Sequence, residues 1–308
     1  MKMESKPTQN KNSLFRAIVR DKVFYLMLLP AILYTLIMNY IPMLGIALAF
    51  KDYNFIQGFW KSPWVGMKNI TDIFTVPSMQ EAIMNTITLN GLSLIICFIA
   101  PIIFALLLNE IKGSAFKRII QTVSYLPHFL SWVAVISIAY NLFGSYGIIN
   151  DMRETLGLQR VMFMAQEKFF LPNYLFLSVW KSIGWDSIIY LAAISGIDQQ
   201  LYEAAEIDGA NEFQQAWHIT FKSIIPTIII LFILKIGQLF GSNFELVYNL
   251  QNAFVNREVI STVVYKSGIQ QGNYSMSTAI SLVQGVIALA LTMITNQISK
   301  KVSSISMW

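Results

Sequence analysis

The sequence predicts an all-α integral membrane protein: six transmembrane helices, with a cytoplasmic helix-turn-helix element between the fourth and the fifth. Three observations predict it. Of 308 residues, 55% are hydrophobic and only 13% charged, with mean hydropathy +0.53, more apolar side chain than a soluble domain can bury. Six apolar runs are each long enough to cross a bilayer, which takes about 20 residues. Finally, the stretch "LYEAAEIDGANEFQQAWHIT" (Leu201–Thr220) interrupts them with acids and helix-forming residues.

The runs lie at Val23–Ile41, Ala82–Leu108, Ile119–Phe143, Phe169–Ile194, Ser223–Phe244 and Ser277–Ile298. They divide the chain into a tail (1–22), a membrane domain (23–298) and a second tail (299–308), with the acidic element at 195–222. Each run contains Pro, Gly or Ser, which spanning helices tolerate where neighbours satisfy the freed backbone groups. The first run follows some twenty polar residues, is too long for a signal core and lacks a small-residue cleavage site, so it is expected to be retained. The sole cysteine, Cys97, sits in an apolar run and has no internal disulfide partner.

Orientation follows from the basic residues. The net charge of +5 and pI near 9.1 reflect basic flanks rather than a nucleic-acid surface. Lys2, Lys6, Lys11, Arg16, Arg20 and Lys22 precede the first run. Lys112, Lys117 and Arg118 follow the second, and Lys300 and Lys301 follow the last. These outnumber the bases on the other side, placing both termini and the acidic element in the cytoplasm. Asp198, Glu203, Glu206, Asp208 and Glu212 stand there, where Lys and Arg would be favoured, so something other than topology put carboxylates in that loop.

The element has a readable local structure. Asp198 is expected to cap a helix starting at Gln199, and Gly209 to end it in a left-handed conformation. Asn211 with Gln214 forms a capping box for a second helix, with Glu212 at its positive end. Phe213, Ala216, Trp217 and Thr220 share a face of that helix, and Pro226 marks the entry to the fifth span. A docking surface with a basic partner is the expectation.

Glu203, Ala204, Ala205, Gly209 and Ile219 carry an EAA-x3-G-x9-I spacing that resembles the signature of permease subunits of binding-protein-dependent ABC importers. The family pattern closes with Leu-Pro, where this chain has "FKSIIP". "YIPMLGIALAFKDYNF", "SPWVGMKNI", "WKSIGWDSIIYLAAISGID" and "FGSNFELVYNL" are similar to the branch that imports oligosaccharides. The resemblance covers nearly the whole chain. It implies a bacterial inner-membrane, multi-pass subunit, in which the 195–222 element is a coupling element seated on an ATPase. Glu203 would meet a basic side chain, Ala204 and Ala205 would permit close approach, Gly209 would allow the sharp bend, and Asp208 and Ala210 would belong to the same ATPase-coupling set. The implied partners are a second, non-identical permease, two ATPase subunits, an extracytoplasmic solute-binding protein, membrane lipid and the oligosaccharide, with no nucleic acid. No G-x-x-x-x-G-K-[ST] occurs, so ATP and Mg belong to the partner subunits and this chain is not an enzyme.

Ionisable groups inside spans are functional candidates. Lys181 and Asp186 share the fourth span, about 140° apart around a helix and so not expected to pair. Trp180 and Trp185 flank them, and aromatic faces beside hydrogen-bonding groups suit a sugar. Lys235 in the fifth span is a second cation, with Asn243 near its outer end. These six residues are the expected substrate path, and two cations there would suit an acidic, uronate-containing sugar. Gly237–Gly241 is a G-x-x-x-G pattern that permits helix packing. Tyr53, Phe55, Phe59, Trp60 and Trp64 are expected to anchor at the interface, and Glu245–Met276 to form a long polar outer loop able to meet a binding protein. Two rivals stand against this reading. Ser93 and His128 loosely match an intramembrane protease. A secondary transporter would show inverted repeats and several intramembrane carboxylates, whereas Asp186 stands alone. His128 and His218 share no metal spacing.

Overall fold

Proline and glycine set where helices start, break and turn in this chain. The computed structural model describes residues 20–239, 241 and 243–303. The first helix, α1 (Lys22–Thr35), is prolonged by a π turn at Leu36–Tyr40 and a 3-10 stretch at Ile41–Phe50. After it come α2 (Gly58–Lys61), α3 (Lys68–Thr75) and the long α4 (Pro77–Asn109), whose Pro77 occupies the first turn, where no hydrogen bond is lost. Then follow α5 (Ser114–Tyr125), a 3-10 turn at Leu126–Phe129, α6 (Trp132–Phe143), α7 (Ile148–Thr155) and α8 (Glu167–Ser195). The acidic element comprises α9 (Gln199–Ile207) and α10 (Glu212–Gln215), the latter running through a π segment at Ala216–Phe221 into α11 (Lys222–Gly237). Finally come α12 (Phe244–Leu250), α13 (Ile260–Tyr265), a π turn at Lys266–Gln270 and α14 (Tyr274–Ser303). Among the described residues the only β pairing is two isolated bridges, Lys51–Trp64 and Asn252–Val255.

Five stretches are long and apolar enough to span: Lys22–Phe50, Pro77–Asn109, Trp132–Thr155, Glu212–Gly237 and Tyr274–Lys301. The sixth helix of the bundle is α8, 29 residues long and packed along α4. It carries Lys181 and Asp186, and its central place, walled by protein, removes the need to be apolar.

Two apolar clusters organise the interior. Leu89, Val135, Tyr174, Leu177, Leu246 and Leu250 belong to one, joining α4, α6, α8 and α12. Phe98, Ile102, Ala105, Tyr190, Ile194 and Ile224 form another, nearer the acidic element, joining α4, α8 and α11. A third, containing Ala49, Ile73, Ile260, Ala279 and Ile280, seats α3 and α13 on α14.

Several expectations are corrected. The third run is not one helix: α5 and α6 are separated at Leu126–Ser131, because Pro127 has no N–H and disfavours helix before it. Phe116, Ile119, Val123 and Leu126 then form an exposed apolar stripe along α5. The fifth span ends at Gly237, short of Phe244, and Pro226 lies inside its helix rather than at the entry. Glu245–Met276 is not an open loop: Leu246, Val247, Leu250, Val255, Val259 and Ile260 are buried, while Lys266 pairs with Glu258 and Arg257 with Glu167. Phe55, Trp60 and Trp64 are largely exposed, whereas Tyr53 and Phe59 are half-buried, Tyr53 edge-on to Tyr274 and Phe59 under Lys51. Tails 1–19 and 304–308 lie outside the described residues.

Candidate functional site

Between the first two apolar clusters, α4, α8 and α11 enclose a cavity of about 350 Å3. Its α4 wall is Asn90, Ser93, Leu94, Cys97 and Phe98, and its α8 wall is Tyr174, Ser178, Lys181, Ser182 and Asp186. Both sets recur at three- and four-residue intervals, one face of each helix. Lys235, Gln238 and Leu239 come from α11 and the residues after it, Asn243 from just before α12, and His128 and Trp132 from the broken third run.

Two chain breaks meet here, and polar side chains satisfy both. Lys181 Nζ donates to the carbonyls of Pro127 (3.4 Å), His128 (2.9 Å) and Leu130, and lies over the Trp132 ring. An ammonium has three donors, and here they meet three carbonyls of the turn between α5 and α6, of which Pro127's also accepts from Leu130 N at 3.2 Å. One turn on, Trp185 stacks on His128 at 4.2 Å with rings 3° from parallel. Lys181 and Trp185 thus clasp the broken turn. At the other break, Asn90 Nδ2 donates to Leu239 O at 2.6 Å, and Tyr174 donates its hydroxyl to Asn90 Oδ1 at 3.2 Å.

Asp186 does not pair with Lys181, as the helical angle requires. It pairs with Lys235 across the α8–α11 interface at 2.9 Å. The two cations lining the cavity therefore differ: one is spent on carbonyls, the other on a carboxylate. The hydroxyls of Ser178 and Ser182 are buried without a partner among the described residues. Such groups ordinarily carry a cost of about 1–3 kcal/mol unless something bonds them. The cavity therefore offers hydroxyl, amide, ammonium and carboxylate groups, suited to a polyhydroxylated guest.

Of the six substrate-path residues named from sequence, Lys181, Asp186, Lys235 and Asn243 line this cavity together. Trp180 and Trp185 do not. Trp180 packs on the apolar cluster around Tyr174, and Trp185 is taken up by His128. The uncharged lining was missed. Its signal was the helical spacing of Asn90, Ser93 and Cys97, and of Tyr174, Ser178 and Ser182, within apolar runs. Ser93 and His128 share the cavity, but Ser93 donates to Cys97 Sγ at 3.5 Å, so the protease pairing is not made.

The acidic element folds as its sequence directs. Asp198 accepts from Gln200 N at 3.0 Å, Gly209 has φ +79°, and Asn211 and Gln214 complete a reciprocal capping box. Tyr202 and Thr220 hydroxyls, 2.9 Å apart, tie its two limbs together. Thr220 is consequently buried instead of sharing the exposed stripe of Phe213 and Trp217. The inner curve of the hairpin is a hollow of about 320 Å3 lined by Ala205, Asp208, Gly209, Ala210, Gln214 and His218. Glu203 and Ala204 stand exposed on α9, and Glu203 makes no ion pair among the described residues. Glu212 bonds Lys112, in the α4–α5 connection, at 2.6 Å. That carboxylate raises the Lys112 ammonium above the ordinary lysine range. Lys112 in turn holds the Glu212 carboxyl below its ordinary range, so the pair stands at neutral pH and is lost as pH falls through the folded Glu212 value or rises through the folded Lys112 value. The α10–α11 limb is helical from Glu212 to Gly237, so the hairpin and the Lys235 wall of the cavity are two ends of one rod.

Residues 97–303 match the family described as "Binding-protein-dependent transport system inner membrane component". Over 297 residues the chain is 42% identical to the polygalacturonan/rhamnogalacturonan transport system permease protein YteP of Bacillus subtilis (strain 168), covering 95% of this chain and 92% of that one. Protein LplB of the same organism is 44% identical over 289 residues, covering 92% and 91%. A chain in the crystal structure of a bacterial ABC transporter involved in the import of the acidic polysaccharide alginate superposes with TM-score 0.87 at 37% identity, covering 94% of this chain and 99% of that one. A second structure of bacterial alginate ABC transporter, in complex with alginate pentasaccharide-bound periplasmic protein, gives TM-score 0.87 at 36% identity, covering 95% and 99%.

Proposed function

This chain belongs to the family of inner-membrane components of binding-protein-dependent transport systems, and on that premise we propose that it is the permease subunit of an ATP-driven importer of acidic oligosaccharides. A solute-binding protein delivers the sugar on the extracytoplasmic face. A second, non-identical permease completes the passage, and two ATPase subunits bind ATP and Mg and drive it. The hairpin faces the cytoplasm and receives their stroke, with Glu203 meeting a basic side chain of the ATPase. The acidic class rests on the cations of the cavity and on what the relatives are named for: polygalacturonan and rhamnogalacturonan in one case, alginate in another.

The observation that carries the reading is a continuous helical connection. An exposed Glu203, with no ion pair among the described residues, and a left-handed Gly209 sit on a hairpin whose second limb runs as helix to the cavity wall at Lys235. Force applied at the hairpin therefore reaches the sugar path without a hinge of loop residues. Glu203→Ala removes the charge that sets register on the ATPase. Gly209→Asp imposes a side chain on a left-handed backbone at the bend. Each is expected to lower uptake and sugar-stimulated ATP hydrolysis by about tenfold or more while the binding protein still captures sugar. Normal uptake in both variants would refute the coupling role. Uptake that collapses with a protonophore while ATP is maintained would favour a secondary transporter.

A further inference from the structure

We propose that the Asp186–Lys235 pair reads the charge of the transported sugar, with Asp186 holding Lys235 until a uronate carboxylate takes its place. The proposal rests on the importer reading above and names the residues that would make it selective.

Of the two lining cations, Lys181 has its donors engaged by the carbonyls of Pro127, His128 and Leu130 in the turn between α5 and α6. Releasing Lys181 to a guest would take its ammonium from the His128 and Leu130 carbonyls, while Pro127 O would keep only Leu130 N. Lys235 is held by a carboxylate, the same group a uronate carries. The pair is also reachable, with side chains 41% and 25% exposed on the cavity wall. Breaking a partly buried ion pair from one side leaves an unmatched charge, which is costly. A uronate supplies both replacements: its carboxylate for Lys235 and its ring hydroxyls as donors to Asp186. A neutral sugar supplies only the second.

The exchange has a mechanical consequence. Asp186 sits on α8, while Lys235 sits on the rod that begins at Glu212 in the hairpin. Replacing a bond from α8 by a bond to the guest frees the rod from α8 at cavity level, so an acidic sugar is registered where the ATPases dock.

The test uses the complete transporter in lipid nanodiscs, with tetragalacturonate presented by the binding protein and ATP hydrolysis as readout. Asp186→Asn removes the competitor and is expected to lower the half-saturating concentration severalfold. Lys235→Gln removes the reader and is expected to raise it by about tenfold or more. If the pair is merely a brace between helices, both variants shift the same way, and that result overturns the proposal. Should either single variant fail to assemble, the swap Asp186→Lys with Lys235→Asp keeps the brace. The proposal expects it to remain impaired, because the rod then presents a carboxylate to the guest, and wild-type stimulation from it overturns the proposal. A wild-type complex stimulated by a neutral tetrasaccharide and not by tetragalacturonate would instead sink the acidic-sugar reading and this assignment with it.

Discussion

The first span and α8 make opposite use of similar length. No residue of α1 is buried, and Phe24 and Met27 are 72% and 74% exposed, although no charge interrupts the chain from Val23 to Phe50. α8 carries Lys181 and Asp186 yet buries Phe170, Tyr174, Leu177, Gly184, Tyr190 and Ile194 against its neighbours. The difference teaches that hydropathy reports what solvent a helix face meets, lipid or protein, and not how much structure depends on it. A helix walled by protein can be polar because neighbours supply the bonds that lipid cannot.

Substitutions along the two helices should separate them sharply. The largest effect is expected at Gly184, where an added Cβ would lie 2.2 Å from the Ser124 carbonyl oxygen on α5. Backbone cannot yield as a side-chain tip does, so Gly184→Val should cost about 3 kcal/mol or more and depress the yield of folded protein. Near-wild-type thermal unfolding of that variant would show that α5 and α8 do not cross so closely.

Lys181→Met comes next. It keeps the stem but takes the ammonium from the His128 and Leu130 carbonyls, and about 2–3 kcal/mol of stability should be lost, with Lys181→Arg losing less. If Met and Arg were equally harmless, the clasp on Pro127, His128 and Leu130 would not be what holds α8 to that turn.

The smallest effect belongs to α1. Leu26→Ala removes a side chain that touches little of its own chain and should change the stability of the isolated subunit by no more than about 0.5 kcal/mol. A loss as large as that at Lys181 would break the comparison. A loss found only in the assembled transporter would sharpen it, by placing α1 against another subunit.

Much of the hairpin was legible because its determinants act within a few residues. Asp198 bonds Gln200, Asn211 and Gln214 bond each other, and Gly209 supplies its own φ. These are properties of local chain geometry, and composition likewise sufficed for an all-helical membrane class. The cavity was only half legible. Charged residues announce themselves in an apolar run, so Lys181, Asp186 and Lys235 were found. Asn90, Ser93 and Ser178 look like ordinary helix hydrogen-bonders until their helices are set side by side. Trp180 and Trp185 misled for the complementary reason: an aromatic ring is equally at home against sugar, lipid or another ring.

What the sequence determined by itself, then, is the class, the approximate places of most spans, and the caps and turn of the acidic hairpin. Tertiary structure alone decided that Asp186 answers Lys235, that Lys181 answers a broken turn, and that Asn90 answers Leu239. The first of those pairs is separated by 49 residues and the last by 149. Partners so distant are chosen by how helices pack, and a one-dimensional pattern records each residue's chemistry without recording which neighbour will meet it.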